Sequence, residues 1–242
     1  MLLARDTPVE LLGDGFAESL DDAQRQVDAW QAEGIGVASI YSEMYPANLR
    51  SVHDYPPLLF WRGRFDDSDS RAVAVVGTRK PSDGALRFIQ EVVPLIAQSG
   101  YPVVSGLARG VDSAAMRASM DAGNRTVGII GTGIRTAYPP ENADLQDEVA
   151  HSHLLLSQFW PDAPPTKQSF PMRNHVMSAF SSMTLIVEAS EQSGTRIQAR
   201  AATRHARPVL ITRAVYQQTM WAKELVAQGF DVTVVSNARE AL

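Results

Sequence analysis

The sequence reads as an α/β fold: a doubly wound, mainly parallel sheet with helices on both faces, preceded by a small N-terminal extension. Three observations predict it. Short continuous apolar runs recur after Arg71. Segments of helical period separate most of them. A polar stretch, Asp66-Asp67-Ser68-Asp69-Ser70, marks a change of pattern between 1–65 and 66–242 and is the best linker candidate.

In the front part, a helix is expected over Asp21–Glu33, stopped by Gly34. Val37–Tyr41 reads as a short strand. The prolines of Tyr45-Pro46-Ala47-Asn48-Leu49 and of Asp54-Tyr55-Pro56-Pro57 break any helix there, and Leu58–Trp61 reads as a buried strand. The front part is expected to be a small, separate unit.

Beyond residue 71, strands are expected at Ala72–Val76, Pro102–Ser105, Thr126–Ile130, His153–Ser157, Met183–Val187, Pro208–Thr212 and Asp231–Val235. Continuous apolar runs suit strands buried on both faces, and connections of this length favour parallel pairing. Ala85, Phe88, Ile89, Val92, Val93 and Ile96 recur at spacings of three and four, which places them on one helical face. Ala114, Ala115, Ala118 and Ala122 do the same, and their small size suits a helix lying close to the sheet.

Composition removes several chemistries. There is no cysteine, which excludes disulfides, thiolate metal sites, iron–sulfur clusters and cysteine nucleophiles. No run of about 18 apolar residues suggests a membrane span, and the N-terminus is too acidic for a signal peptide. A soluble cytoplasmic protein is expected. The net charge of −5 is unevenly spread. Residues 1–70 carry five Lys/Arg against thirteen Asp/Glu, a net of −8, and residues 71–242 carry +3. Either the two parts have different electrostatic roles, or an acidic front part simply aids solubility.

In doubly wound sheets, ligands lie beyond the C-terminal strand ends, where strand order reverses. The first such turn is Gly77-Thr78-Arg79-Lys80, the second Ser105-Gly106-Leu107-Ala108-Arg109-Gly110-Val111-Asp112, and the third Gly131-Thr132-Gly133. Glycine allows close backbone approach, helix-start amides point at anions, and Arg79 and Arg109 suit phosphate. Any one of these turns is compatible with a mere tight turn, but three in succession point to a phosphate-bearing ligand. Neither a phosphate-loop nor a dinucleotide fingerprint is met, and no cofactor is implied.

Further on, Phe170-Pro171-Met172-Arg173-Asn174 precedes an apolar helical stretch. Either Asn174 caps that helix with Arg173 solvated, or both contact a phosphate or base. Ser193-Gly194-Thr195 opens a later helix after Glu188. Phe159, Trp160 and Phe170 flank a proline-rich loop containing Lys167, a combination suited to stacking bases and holding phosphates, or simply to a core. Catalysis has little support. His53, His151, His153, His175 and His205 form no carboxylate-backed metal spacing, no nucleophile elbow occurs, and Asp112 reads as an N-cap.

The motifs resemble those of the DprA/Smf DNA-processing proteins. The resemblance rests on Val75-Val76-Gly77-Thr78-Arg79, Ser105-Gly106-Leu107-Ala108-Arg109-Gly110-Val111-Asp112, Tyr138-Pro139-Pro140-Glu141-Asn142, Phe170-Pro171-Met172-Arg173-Asn174 and Val187-Glu188-Ala189. Tyr55-Pro56-Pro57-Leu58-Leu59-Phe60-Trp61-Arg62-Gly63 fits as well, and the likeness covers most of residues 37–205. Departures include Thr78 for a serine, His175 for an arginine and Ser182 for an aspartate. The C-terminal end also diverges, with Ile211–Tyr216 where the family has a proline-glycine segment.

The resemblance implies a Rossmann-like domain that binds single-stranded DNA without catalysis. It also implies a homodimer that loads a RecA-type recombinase during natural transformation. By the same resemblance Arg79, Arg109 and Arg173 contact phosphates, with Lys80 and Lys167 nearby, while Gly77, Ser105, Gly106 and Gly131 shape the crevice. Two other functions use the same phosphate turns. One is a nucleotide-binding sensor. The other is a nucleotide phosphoribohydrolase, although Ala189–Thr195 and Gln198 stand in place of that enzyme type's Pro-Gly-Gly-x-Gly-Thr-x-x-Glu signature.

Overall fold

A computed structural model describes residues 14–241. They build a nine-stranded sheet in the order β1-β2-β6-β5-β4-β3-β7-β8-β9. The strands are β1 (Gly36–Ser39), β2 (Leu58–Gly63), β3 (Val73–Val76), β4 (Val103–Ser105), β5 (Thr126–Ile130), β6 (Leu154–Ser157), β7 (Met183–Ile186), β8 (Val209–Thr212) and β9 (Val232–Val235). Seven of them, β3 to β9, run parallel, and β1 and β2 join antiparallel at the β6 edge. The alternating pattern after residue 71 thus gives the expected doubly wound sheet.

Helices α1 (Asp14–Ala32), α2 (Ala47–Arg50), α3 (Asp83–Gln98), α4 (Val111–Asp121), α5 (Ala143–Ser152), α6 (Ser169–Phe180), α7 (Thr195–Arg204), α8 (Arg213–Gln218) and α9 (Met220–Ala227) complete the fold. Strand β3 shows why its run is continuous. Ala74 and Val76 pack in one apolar layer with α6, α7 and α9. Val73 and Val75 pack in the other with α3 and α4. With neither face reaching water, no position favours a polar residue. Among the described residues, no helix is long and apolar enough to cross a membrane.

The front part is less separate than the sequence suggests. β2 pairs with β6 from Phe60 opposite Ser157 to Gly63 opposite Leu154, so one sheet crosses the expected boundary at 65/66. Residues 66–70 are likewise not a free linker. Asp67–Arg71 forms a 3-10 turn with a capping box between Asp66 and Asp69. The polarity that suggests a linker is spent on backbone amides and on Arg125. Asp69, only 5% exposed, accepts from Arg125 Nε at 2.5 Å and Nη2 at 2.8 Å. Truncating one partner of a buried, bidentate pair strands the other charge. Asp69→Ala is therefore expected to cost about 3 kcal/mol, read as a fall of roughly 6–12 °C in the thermal midpoint. A change under about 0.5 kcal/mol would show that the pair adds nothing beyond a surface contact.

Candidate nucleic-acid interface

Strand order reverses between β4-β3 and β7-β8, and the loops that leave β3, β4 and β7 meet there. They enclose two cavities that share Arg79, Ala108, Phe170 and Arg173, one of about 440 Å³ and one of about 260 Å³. The larger is lined by the Gly77–Arg79 turn, Asn174 of α6, Gln198 of α7 and the Ser193–Thr195 loop. The smaller is lined by Lys80, Gly106, Arg109 and the Tyr138–Pro140 segment. Arg79, Arg109 and Arg173 thus face one trough.

The three arginines differ in environment. Arg79 is exposed and has no acidic partner among the described residues. Its guanidinium stands 5.9 Å from the Phe170 ring centroid, within cation–π range. Phe170 in turn lies 5.4 Å from Tyr138. Together they make a partly exposed aromatic face beside a cation that is unpaired among the described residues.

Arg109 is exposed but ion-paired with Glu141, which holds the guanidinium above its ordinary pKa and the Glu141 carboxyl below its own. The neighbouring Asn142 donates to the carbonyls of Leu107 at 2.9 Å and Ala108 at 3.3 Å. The Tyr138–Asn142 motif therefore clamps the second turn by both charge and hydrogen bonds.

Arg173 forms the floor. It is 5% exposed and donates from Nη1 to the Ile129 carbonyl at 3.0 Å, while its Nε has no partner. A Cβ on Gly106 would lie 1.3 Å from that same Nη1, so only glycine lets the guanidinium pass under the turn. The expectation that Arg173 and Asn174 start a helix is corrected. α6 begins at Ser169, with Pro171 in its first turn, where the missing amide costs no helical bond. Asn174 caps nothing. Its amide donates to the Gly194 carbonyl at 3.4 Å and ties α6 to the loop before α7.

Asp112 is not an N-cap either. Gly110, at φ +79°, occupies that position, where a side chain would also meet the Thr78 and Arg79 backbone. Asp112 is buried in the first turn of α4 and accepts from the Gly106 amide at 3.2 Å. Burial pushes its carboxyl above the ordinary value, opposed by the Arg173 charge and by backbone amides. Burial acts on Arg173 in the opposite sense, and Asp112 counters it. A guanidinium nonetheless keeps its proton. A buried cation and a buried carboxyl group thus sit under the second turn.

Other expected site residues are placed elsewhere. Ser105 is buried and donates to the Val75 carbonyl at 2.7 Å. Gly131 packs under Phe170, and Gly133 packs against the carbonyls of Trp160 and Pro161, so neither lines the trough. Lys167 is exposed but lines neither cavity. Trp160 packs on Trp30 and Phe60 at 5.7 Å, away from Phe170. Phe159 donates its amide to Ser157 Oγ and lines neither cavity. Glu188 accepts from the Ser82 amide at 2.7 Å at the start of α3.

Gln198, which the sequence offers only as the residue at the hydrolase signature's glutamate position, also lines the larger cavity. It is 1% exposed, donates to Thr184 Oγ1 at 3.3 Å, and its amide oxygen has no partner. Its signal is weak, because a lone glutamine in an alanine-rich helix looks like a surface residue.

The family model for DNA recombination-mediator protein A matches residues 36–241, which includes the divergent C-terminal end. The chain is 37% identical over 186 residues to the DNA processing protein DprA of Bacillus subtilis. That alignment covers 76% of this chain and 63% of the relative, so the chain spans less than two thirds of that protein. The DprA structure from Streptococcus pneumoniae superposes with a TM-score of 0.77 at 30% identity, over 88% of this chain and 76% of that one. The Helicobacter pylori DNA processing protein A, described for its single-stranded DNA binding mode, gives a TM-score of 0.73 at 26% identity, over 85% and 93%. Matched over most of its length by the family model, the chain belongs to the DNA recombination-mediator protein A family.

Proposed function

We propose that the chain binds one DNA strand along the trough without chemical turnover, as a cytoplasmic DNA-processing protein in DNA uptake and recombination. The observation that carries this reading is the continuity of the two cavities through Arg79, Phe170 and Arg173. A linear groove with a stacking face and cations at intervals suits a sugar–phosphate strand. The description of the Helicobacter pylori relative supports it. Arg79 and Lys80 provide exposed charge for phosphates, and Phe170 with Tyr138 provides the stacking surface. Thr78, Gly106, Asn174, Ser193 and Gly194 offer close backbone or polar contacts. Arg173 holds the floor in shape.

Homodimer formation and delivery of the strand to a RecA-type recombinase belong to the same proposal, on the strength of the family resemblance. Sedimentation of the chain with and without the recombinase tests both.

The distinguishing experiment is a polarisation titration with a single-stranded oligonucleotide and with a mononucleotide. About three phosphate contacts predict a log–log salt slope near −2, a loss of roughly 15-fold between 50 and 200 mM salt. Mononucleotide binding that is tighter than oligonucleotide binding and insensitive to salt would instead identify a nucleotide sensor. Release of the base from a nucleoside monophosphate would identify a hydrolase.

A further inference from the structure

Away from the trough, the fold brings together three residues that are far apart in sequence. Asp54 lies in the loop before β2, His175 on α6, and His205 at the C-terminal end of α7. The Asp54 carboxylate directs one oxygen at His175 Nδ1, 2.6 Å away, and the other at His205 Nε2, 2.7 Å away. The three ligand-type atoms all lie within 4.8 Å of one another. We propose that Asp54, His175 and His205 form a binding site for a divalent transition-metal ion of the zinc type, which fastens the front segment to α6 and α7.

The surrounding groups suit this role. The His205 side chain is 1% exposed, and its Nδ1 lies 2.5 Å from Ser178 Oγ. Ser178 also donates to the His175 carbonyl at 3.4 Å. Metal binding through Nε2 requires the tautomer with its proton on Nδ1, and Ser178 Oγ stands where it can accept that proton's hydrogen bond. With an ion bound, the Nε2 lone pair would face the metal beside Asp54, in place of the proton that Nε2 and Asp54 Oδ1 share without it. A metal-binding imidazole characteristically gives its other N–H to an oxygen acceptor in this way.

The donor set of two imidazoles and one carboxylate matches zinc chemistry. In a tetrahedral site with bonds of about 2.0–2.1 Å, donor atoms stand about 3.3 Å apart. Asp54 and His175 are partly exposed, at 28% and 31% of their side chains, and can move apart by the fraction of an ångström required. His53, whose ring centroid is 6.0 Å from that of His205, is near enough to supply a fourth nitrogen after a side-chain rotation. The metal would add to existing ties at this junction, where Asn48 donates to the Phe180 carbonyl and Arg207 to Ser51 Oγ.

The test is a Zn(II) titration of the full chain, freed of metal by a chelator, in competition with a chromophoric zinc indicator. One ion per chain is expected. His175→Ala and Asp54→Asn should each weaken binding by 10-fold or more, and His205→Ala should abolish it. At a hundredfold excess over Kd, Zn(II) should raise the thermal midpoint of the wild type by roughly 5–10 °C. It should raise that of His175→Ala, which alters a partly exposed residue, by about half as much or less. Co(II) in place of zinc should give the visible absorption of a tetrahedral site in the wild type only. Binding that is equal in the wild type and in folded His175→Ala and Asp54→Asn overturns the proposal, as does a folded wild type that takes up no Zn(II) at micromolar concentration.

Discussion

Arg79→Ala is expected to weaken single-strand binding by roughly 10–30-fold at low salt, since one charge-assisted hydrogen-bonded interaction is worth about 1.5–2 kcal/mol. Arg79 should dominate because its charge is exposed, borders both cavities and stands over Phe170. No acidic side chain among the described residues neutralises it. The salt slope should fall by about 0.7, as expected when one fewer phosphate is neutralised. Arg109→Ala should cost less, because Glu141 already offsets that charge and must be displaced before a phosphate can bind. Arg79→Lys should fall between, since it keeps the charge but not the planar fork. Polarisation titrations at two salt concentrations check all three. Arg79→Ala binding within twofold of the wild type, with an unchanged slope, would remove the strand from this trough.

The second large effect concerns folding. Arg173→Ala should destabilise the protein by about 3 kcal/mol, because it removes a buried cation and leaves Asp112 without its counter-charge. The effect also has a pH signature. An acid whose folded pKa is raised binds more protons folded than unfolded. Stability therefore falls as pH rises from the unfolded value toward the folded one. Without Arg173 the Asp112 carboxyl rises further, so the variant should regain stability on acidification, over a range extending further toward neutrality than in the wild type. Asp112→Asn added to Arg173→Ala should restore part of the stability and flatten that dependence. Denaturant unfolding across pH measures both, and strictly additive single effects would mean that the two groups do not interact. Gly106→Ala should act in the same direction, since its Cβ collides with the guanidinium.

Much of the fold is legible in the chain. All seven apolar runs after residue 71 are strands, and Ala85, Ile89, Val92, Val93 and Ile96 form the buried face of α3. These features are local, since a strand buried on both sides or a helix with one apolar face writes its period into neighbouring residues. The start of α6 is harder to read because Phe170-Pro171 looks like a helix-breaking lead-in, although proline is tolerated in a first turn. Residues 66–70 look like a linker because a capping box and one half of a buried ion pair have the composition of a loop.

By itself the chain determined the sheet, its helices and the basic, glycine-led turns at one rim, because periodicity and turn chemistry depend on residues a few positions apart. Only the tertiary structure decided which cations stay exposed. Arg79, Arg109 and Arg173 look alike in sequence, yet one is unpaired among the described residues, one is bound to Glu141 and one is buried over Ile129. The same holds for Asp54, which lies 121 residues from His175 and 151 from His205 until the sheet closes. Burial and charge pairing arise from contacts between distant segments, and no local pattern encodes them.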